Sequence, residues 1–118
     1  MRIGAAAAAS GCHIETIRYY ERIGLLPHPA RSVSGYREYL PEEVDRLRFI
    51  TRGRELGFSL DEIRSLLTLS DDPTLSCRDV DQLARHHLAD VRQRLRELRR
   101  IAQELERTIA SCAGGKRG

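Results

Sequence analysis

A chain of 118 residues has room for one small domain and an extended helix, but not for the core of a large enzyme. Its formal net charge is only +3. Nineteen of its twenty basic residues are arginine, with Lys116 the one lysine; arginine suits bidentate phosphate contact, but a GC-rich genome gives the same bias, so the count alone decides nothing. No stretch approaches the length of a membrane span, no secretory signal is legible in the opening MRIGAAAAAS, and an odd number of cysteines without such a signal argues for free thiols in a reducing cytoplasm.

The elements follow in order. Residues 3 to 9 are mostly alanine and read as a helix, which Ser10-Gly11-Cys12 breaks. A second helix runs from His13 to Ile23 with Ile14, Ile17 and Tyr20 facing inward, and Gly24 and Pro27 end it. Two short helices joined by a glycine-containing turn make a helix-turn-helix, whose second helix can enter a major groove. Alone this is a weak pattern, shared by many small helical domains. The next stretch, Arg31 to Tyr39, is basic and turn-like around Ser34-Gly35, and reads as a small hairpin or wing. All four tyrosines lie between positions 19 and 39. Arginine and tyrosine interleaved on a wing suit phosphate contact; the plainer reading is a solvated loop, and the helix-turn-helix just before it favours DNA.

Pro41-Glu42-Glu43 starts a third helix that Val44, Leu47, Phe49, Ile50 and Arg54 carry to Gly57. Its Arg46, Arg48, Arg52 and Arg54 read mainly as a solvated face. Ser59-Leu60-Asp61-Glu62 is a capping box, and Ile63, Leu66 and Leu67 form the buried face of a fourth helix. Ser70-Asp71-Asp72-Pro73 is a linker.

The last third, Ser76 to Cys112, reads as one long helix. A 4-3 spacing from Cys77 visits Asp81, Ala84, Leu88, Val91, Leu95, Leu98, Ala102, Leu105, Ile109 and Cys112, and ten of those eleven positions are apolar or cysteine. This is a coiled-coil seam. Cys77 and Cys112 share one heptad position at the two ends of the stripe. At 1.5 Å per residue they stand roughly 50 Å apart in a straight helix, too far to hold one ion. A second chain running antiparallel would bring Cys77 of each copy near Cys112 of the other, in two equivalent thiol pairs. Ser76-Cys77-Arg78-Asp79 resembles a capping box and places Cys77 in the first turn. The plainer reading is a dimerisation coil whose end positions are small, apolar cysteines. Cys12 reads as a buried turn residue, and His86 and His87 as helix-surface residues.

The blocks Glu15-Thr16-Ile17-Arg18-Tyr19-Tyr20-Glu21, Gly24-Leu25-Leu26, Gly35-Tyr36-Arg37-Glu38-Tyr39 and Leu56-Gly57-Phe58-Ser59-Leu60-Asp61-Glu62-Ile63 together resemble the MerR family of bacterial transcription regulators, from Ile3 to Cys112. The resemblance implies a mainly α fold: a winged helix-turn-helix DNA-binding domain over residues 1–70, a linker at 71–75, an antiparallel coiled-coil dimerisation helix at 76–112, and the start of a metal-binding loop or tail at 113–118. It also implies a homodimer that binds a palindrome in double-stranded promoter DNA and realigns that promoter for RNA polymerase by distorting its spacer. Carried over by position, Arg18, Tyr19 and Tyr20 fall on the recognition helix, and Arg31, Tyr36 and Arg37 on the wing. Arg18, Tyr36 and Arg37 are the expected phosphate contacts, and His13 and Thr16 the residues expected to reach base edges.

The same resemblance assigns Cys77 and Cys112 to a metal effector. A cysteine at the start of the dimerisation helix marks sensors of divalent ions in this family, where sensors of cuprous ion carry serine. Soft thiolates select mercury, cadmium or lead, with zinc less favoured. In one respect the chain departs from the pattern. The family's metal loop supplies a further cysteine shortly after the position of Cys112, whereas here Ala-Gly-Gly-Lys-Arg-Gly follows, so either residues beyond Gly118 complete the site or it has two thiolates. Two other readings remain open: a regulator of this type answering a non-metal signal, and a coiled-coil interaction protein that does not bind DNA. No carboxylate pair, nucleophile–base pair or phosphate loop points to an enzyme.

Overall fold

A computed structural model of the chain describes residues 1–27, 33 and 35–115. Its helices are α1 (Ile3–Ser10), α2 (Ile14–Arg22), α3 (Pro41–Glu55), α4 (Leu60–Asp71) and α5 (Cys77–Ala113). Among the described residues the only β feature is a single bridged residue, Arg37. The chain divides into two units, Met1–Leu67 and Thr68–Gly118.

In the first unit α1 packs on α2 and α3. Alanine suits this helix twice over, as a strong helix former and as a small face that lets neighbours come close; Ala6 is fully buried. Gly11 ends α1 in the left-handed region, at φ 74°, with its N–H on the Ala7 carbonyl at 2.9 Å. A side chain is strained there, and glycine is not. Gly24, at φ 75°, makes the same kind of exit after α2, and the N–H of Leu25 returns to the Tyr20 carbonyl at 2.9 Å. The core is Ile17, Leu25, Leu26, Tyr39, Leu47, Ile50 and Ile63, all fully buried, and each such aliphatic side chain contributes about 1.5–3 kcal/mol of transfer free energy.

The arginines of α3 and α4 close this unit. Arg48 Nε donates to the Ala9 carbonyl, Arg46 Nε to the Leu25 carbonyl and Arg64 Nη2 to the Ile23 carbonyl, each at 2.9 Å, and Arg54 Nη1 donates to the Phe58 carbonyl. Ala9 and Ile23 lie at the C-terminal ends of α1 and α2, where carbonyls lack partners and carry negative partial charge, so a guanidinium satisfies both there. The arginine face of α3 is mainly solvent-exposed as expected, with Arg48, Arg52 and Arg54 exposed and Arg46 half-buried, yet three of the four also bind carbonyls.

Two core assignments also change. Val44, Leu47 and Ile50 are buried, but Phe49 is exposed; one residue turns a helix by about 100°, which carries Phe49 off a stripe running through 47 and 50. Ile14 is exposed at the start of α2, and Leu66 is only half-buried. The hairpin predicted across residues 31–39 falls partly outside the described residues. In the part that is described, Arg37 is a lone bridged residue, Tyr39 is buried, and its N–H donates to the Met1 carbonyl at 2.7 Å.

In the second unit, Ser76 caps α5 as its sequence predicts. Ser76 Oγ accepts from the Asp79 N–H at 3.1 Å, and Asp79 Oδ2 accepts from the Ser76 N–H at 3.3 Å. Asp72 orders the preceding turn, accepting from the Thr74 N–H and hydroxyl, which holds its carboxyl below the usual range. No residue of α5 is buried; Leu88, Leu95, Leu98, Ile101, Leu105 and Ile109 are all exposed. Asp81, the one break in the seam, pairs with Arg85 at 2.9 Å. No described helix is long and apolar enough to cross a membrane.

Candidate functional site

Helix α2, the expected recognition helix, opens at His13, an exposed N-cap residue whose side chain makes no cap bond. Thr16 is half-buried one turn on. Arg18 is exposed and pairs along the helix with Glu15 at 2.7 Å; at such exposure the pair is weak and a phosphate can compete for the guanidinium. Tyr19 is exposed, with the Arg22 guanidinium 5.8 Å from its ring centre. Tyr20 differs from these. At 6% exposed it belongs to the core, and burial pushes its phenol up. That matches its expected inward orientation and leaves it little surface for a DNA contact.

The second arm of the wing meets this helix. Arg2, Arg18, Tyr36 and Arg37 line one concave surface of about 640 Å³ with Ile3, Gly4, Ala5 and Gly35. The structure therefore brings together the three residues expected to touch phosphate. It adds Arg2, which sequence reasoning passed over: its guanidinium carbon stacks 3.9 Å above the Tyr36 ring, a cation–π contact that holds a charge beside an exposed phenol. The only sequence signal for Arg2 is a cation immediately ahead of a helix. Arg31 lies outside the described residues.

Behind this surface is a second missed residue, Glu21. It is 3% exposed, at the end of α2. Its carboxylate accepts from the Tyr39 hydroxyl on one oxygen and from the Arg37 guanidinium on the other. Burial first, and then the hydrogen bond to Glu21 and its charge, push the Tyr39 phenol up to about 12, against the opposing effect of Arg37. The neutral phenol is thus favoured by folding. Its contribution is complete below about pH 10, where an unfolded-chain tyrosine begins to ionise, and is lost as pH rises toward about 12. Urea unfolding followed across that window is expected to show stability falling by on the order of 2 kcal/mol. Tyr39→Phe, weakened at neutral pH by about 1 kcal/mol, is expected to lack that part of the fall.

The thiols lie elsewhere. Cys12 is buried in the turn between α1 and α2, as its position suggested. Burial pushes its thiol up; the Thr51 hydroxyl offsets part of this, although its buried oxygen makes no hydrogen bond of ordinary geometry. Cys77 and Cys112 are exposed and occupy opposite ends of α5. Among the described residues no three histidine, cysteine or carboxylate side chains converge on a metal-sized point. His86 pairs with Asp90 along the helix at 3.8 Å, and its ring lies edge-on to His87. Among the described residues Cys77 and Cys112 are thus two separated soft donors, and no closed metal site forms.

Residues 1–69 match the sequence family described as MerR HTH family regulatory protein, and residues 44–108 the one described as MerR, DNA binding. A probable heavy metal-dependent transcriptional regulator of Haemophilus influenzae is 41% identical over 97% of this chain and 89% of its own length. A mercuric resistance operon regulatory protein of Bacillus cereus is 43% identical over 98% of this chain and 87% of its own. Among solved structures, the transcription regulator PbrR691 from Ralstonia metallidurans CH34 in complex with lead(II) is 44% identical, with a TM-score of 0.59 over 94% of this chain and 87% of that one. These relatives are regulators of transcription, not enzymes.

Proposed function

This chain belongs to the MerR family of helix-turn-helix transcription regulators, and on that premise we infer that it is a cytoplasmic, homodimeric regulator that answers a divalent thiophilic metal ion and activates a promoter by distorting its spacer. The observation that carries the metal reading is the placement of Cys77 and Cys112. They are two exposed thiols in one heptad position, at opposite ends of a helix whose apolar stripe holds no buried residue. Covering that stripe with an antiparallel copy makes two intersubunit thiol pairs. Two thiolates suit linear mercury; a third thiolate would also suit lead or cadmium, and zinc is less favoured by so soft a donor set. The names of the relatives, which include mercuric resistance regulators and a lead complex, support the same class.

The DNA reading rests on the surface shared by Arg2, Arg18, Tyr36 and Arg37. Guanidiniums and a phenol hydroxyl there supply backbone contacts that set register, while the start of α2, with His13 exposed and Thr16 half-buried, faces bases. Arg31, outside the described residues, joins the proposed contact set on the family resemblance alone. Ligation by Cys77 and Cys112 ties the start of one α5 to the end of the other. Because only a short segment separates α4 from α5, that tie biases how the two recognition helices are set on a promoter held with RNA polymerase.

The test has two parts. Selection from a random-sequence duplex pool with the reduced chain is expected to yield a palindrome, and transcription from a promoter carrying it is expected to rise with mercuric, cadmium or lead salt. Cys77→Ser and Cys112→Ser should keep the palindrome and lose the response. Equal metal affinity in all three proteins would end the metal reading, and failure to select any duplex would end the regulator reading.

A further inference from the structure

Glu21 is the one buried acidic or basic side chain among the described residues. Desolvating a carboxylate is expensive, and an apolar residue of similar size would fill the same space at less cost. What the carboxylate adds is a connection. It reaches from the last turn of α2 to two residues of the wing arm, taking the Tyr39 hydroxyl on Oε1 and Arg37 Nη1 on Oε2. Arg37 keeps 38% of its side chain exposed and lines the surface it shares with Arg2, Arg18 and Tyr36. A guanidinium has five N–H donors in a rigid fork. With Nη1 held by Glu21 and the side chain partly exposed, the guanidinium keeps other donors for the surface it lines.

We propose that Glu21 is a positioning residue of the DNA interface: it sets the wing arm against the recognition helix and aims the outward edge of Arg37 at a backbone phosphate while α2 occupies the groove. This rests on the DNA-binding reading above. Free, Arg37 would spend rotamer entropy each time it met a phosphate; fixed, it loses little, and Glu21 acts on DNA only through it.

The experiment is a double-mutant cycle on duplex affinity. Anisotropy of a labelled random-sequence duplex pool, titrated across a salt series, reads the phosphate contacts that dominate such binding. Arg37→Ala is expected to weaken binding about fivefold and to flatten the salt slope by about one. Glu21→Gln is expected to do the same, and the double variant to lose nothing further. Tyr39→Phe removes a donor from the same buried carboxylate and lowers thermal stability, but it spares the Arg37 pair and should bind within about twofold of the wild type. Arg37→Lys keeps the charge without the fork and should bind as weakly as Arg37→Ala, which keeps the idea testable if Glu21→Gln does not fold. Additive losses for Glu21→Gln and Arg37→Ala, or wild-type affinity in Glu21→Gln or Arg37→Lys, would overturn the positioning role. A wild-type chain that ignores the duplex would instead overturn the regulator reading, and this role with it.

Discussion

Mixing Cys77→Ser chains with Cys112→Ser chains restores one tight mercuric-ion site per mixed dimer, although neither variant holds such a site alone. The expectation follows from α5. Its two thiols stand at opposite ends of a continuous helix, Cys77–Ala113, and only an antiparallel copy brings one near the other. Each homodimer of a single variant then has two half-sites with one sulfur apiece. Losing a direct ligand should cost at least about a hundredfold in affinity, the loss that even a supporting group of a metal site can impose. In the mixed dimer one pair has lost both sulfurs and the other has kept both. Titrating mercuric ion into the exchanged mixture, followed by the ultraviolet absorption of the metal–thiolate bond, should return a single site per mixed dimer. A parallel pair of helices predicts something else: Cys77 would face Cys77 and Cys112 would face Cys112, each variant would keep one pair, and mixing would restore nothing. Thiols that bind independently predict no gain either. The experiment therefore reads helix direction and metal ligation together, without requiring a known operator.

Much of this was legible in the sequence because it is local. The capping box at Ser76 and Asp79 forms as read, as does that at Ser59 and Glu62, where the Glu62 N–H donates to Ser59 Oγ at 3.0 Å. Each depends on residues three apart, so spacing alone reveals it. The apolar stripe of α5 was legible for the same reason, since its period is set by one helix. What escaped depends on residues far apart in the chain. Arg48 reaches the Ala9 carbonyl across 39 positions, and Arg64 reaches that of Ile23 across 41; no pattern within α3 or α4 distinguishes such an arginine from a solvated one. Glu21 reads as an ordinary helix carboxylate and becomes the buried link between two elements only when Tyr39 and Arg37 fold against it. The clustering of tyrosines was a real signal with two meanings. Tyr19 and Tyr36 are exposed on the candidate interface, whereas Tyr20 and Tyr39 are buried beneath it. Composition cannot separate these pairs, because a phenol serves equally well as a phosphate donor and as a core ring with one polar atom.

Leu98→Glu is expected to turn the dimer into a monomer at concentrations where the wild type is fully paired. Leu98 is 57% exposed in the single chain, at the same heptad position as Cys77 and Cys112. If Cys77 of one copy opposes Cys112 of the other, Leu98 opposes the partner's Val91, another seam position, and Leu88 opposes the partner's Ile101. That second pairing gives a role to Ile101, an exposed apolar residue one place off the seam. A substitution in a twofold dimer is made twice. Removing about 1.5–3 kcal/mol of burial at each copy takes roughly 3–6 kcal/mol from association, before the cost of burying a carboxylate against an apolar neighbour. At about 1.4 kcal/mol per decade, dimerisation weakens by at least about 10²–10⁴. Arg100→Glu makes a charge change of the same sign on the opposite face of α5 and is the control; it should leave the dimer within about tenfold, as expected for an exposed site. Sedimentation equilibrium separates the two outcomes. Because no residue of α5 is buried, in the proposed dimer most of this helix's stability would come from the partner, so Leu98→Glu should also lose helical circular dichroism on dilution while Arg100→Glu does not. A Leu98→Glu protein that pairs as strongly as the wild type would place the interface on another face of α5, and Cys77 and Cys112 would then no longer be brought together.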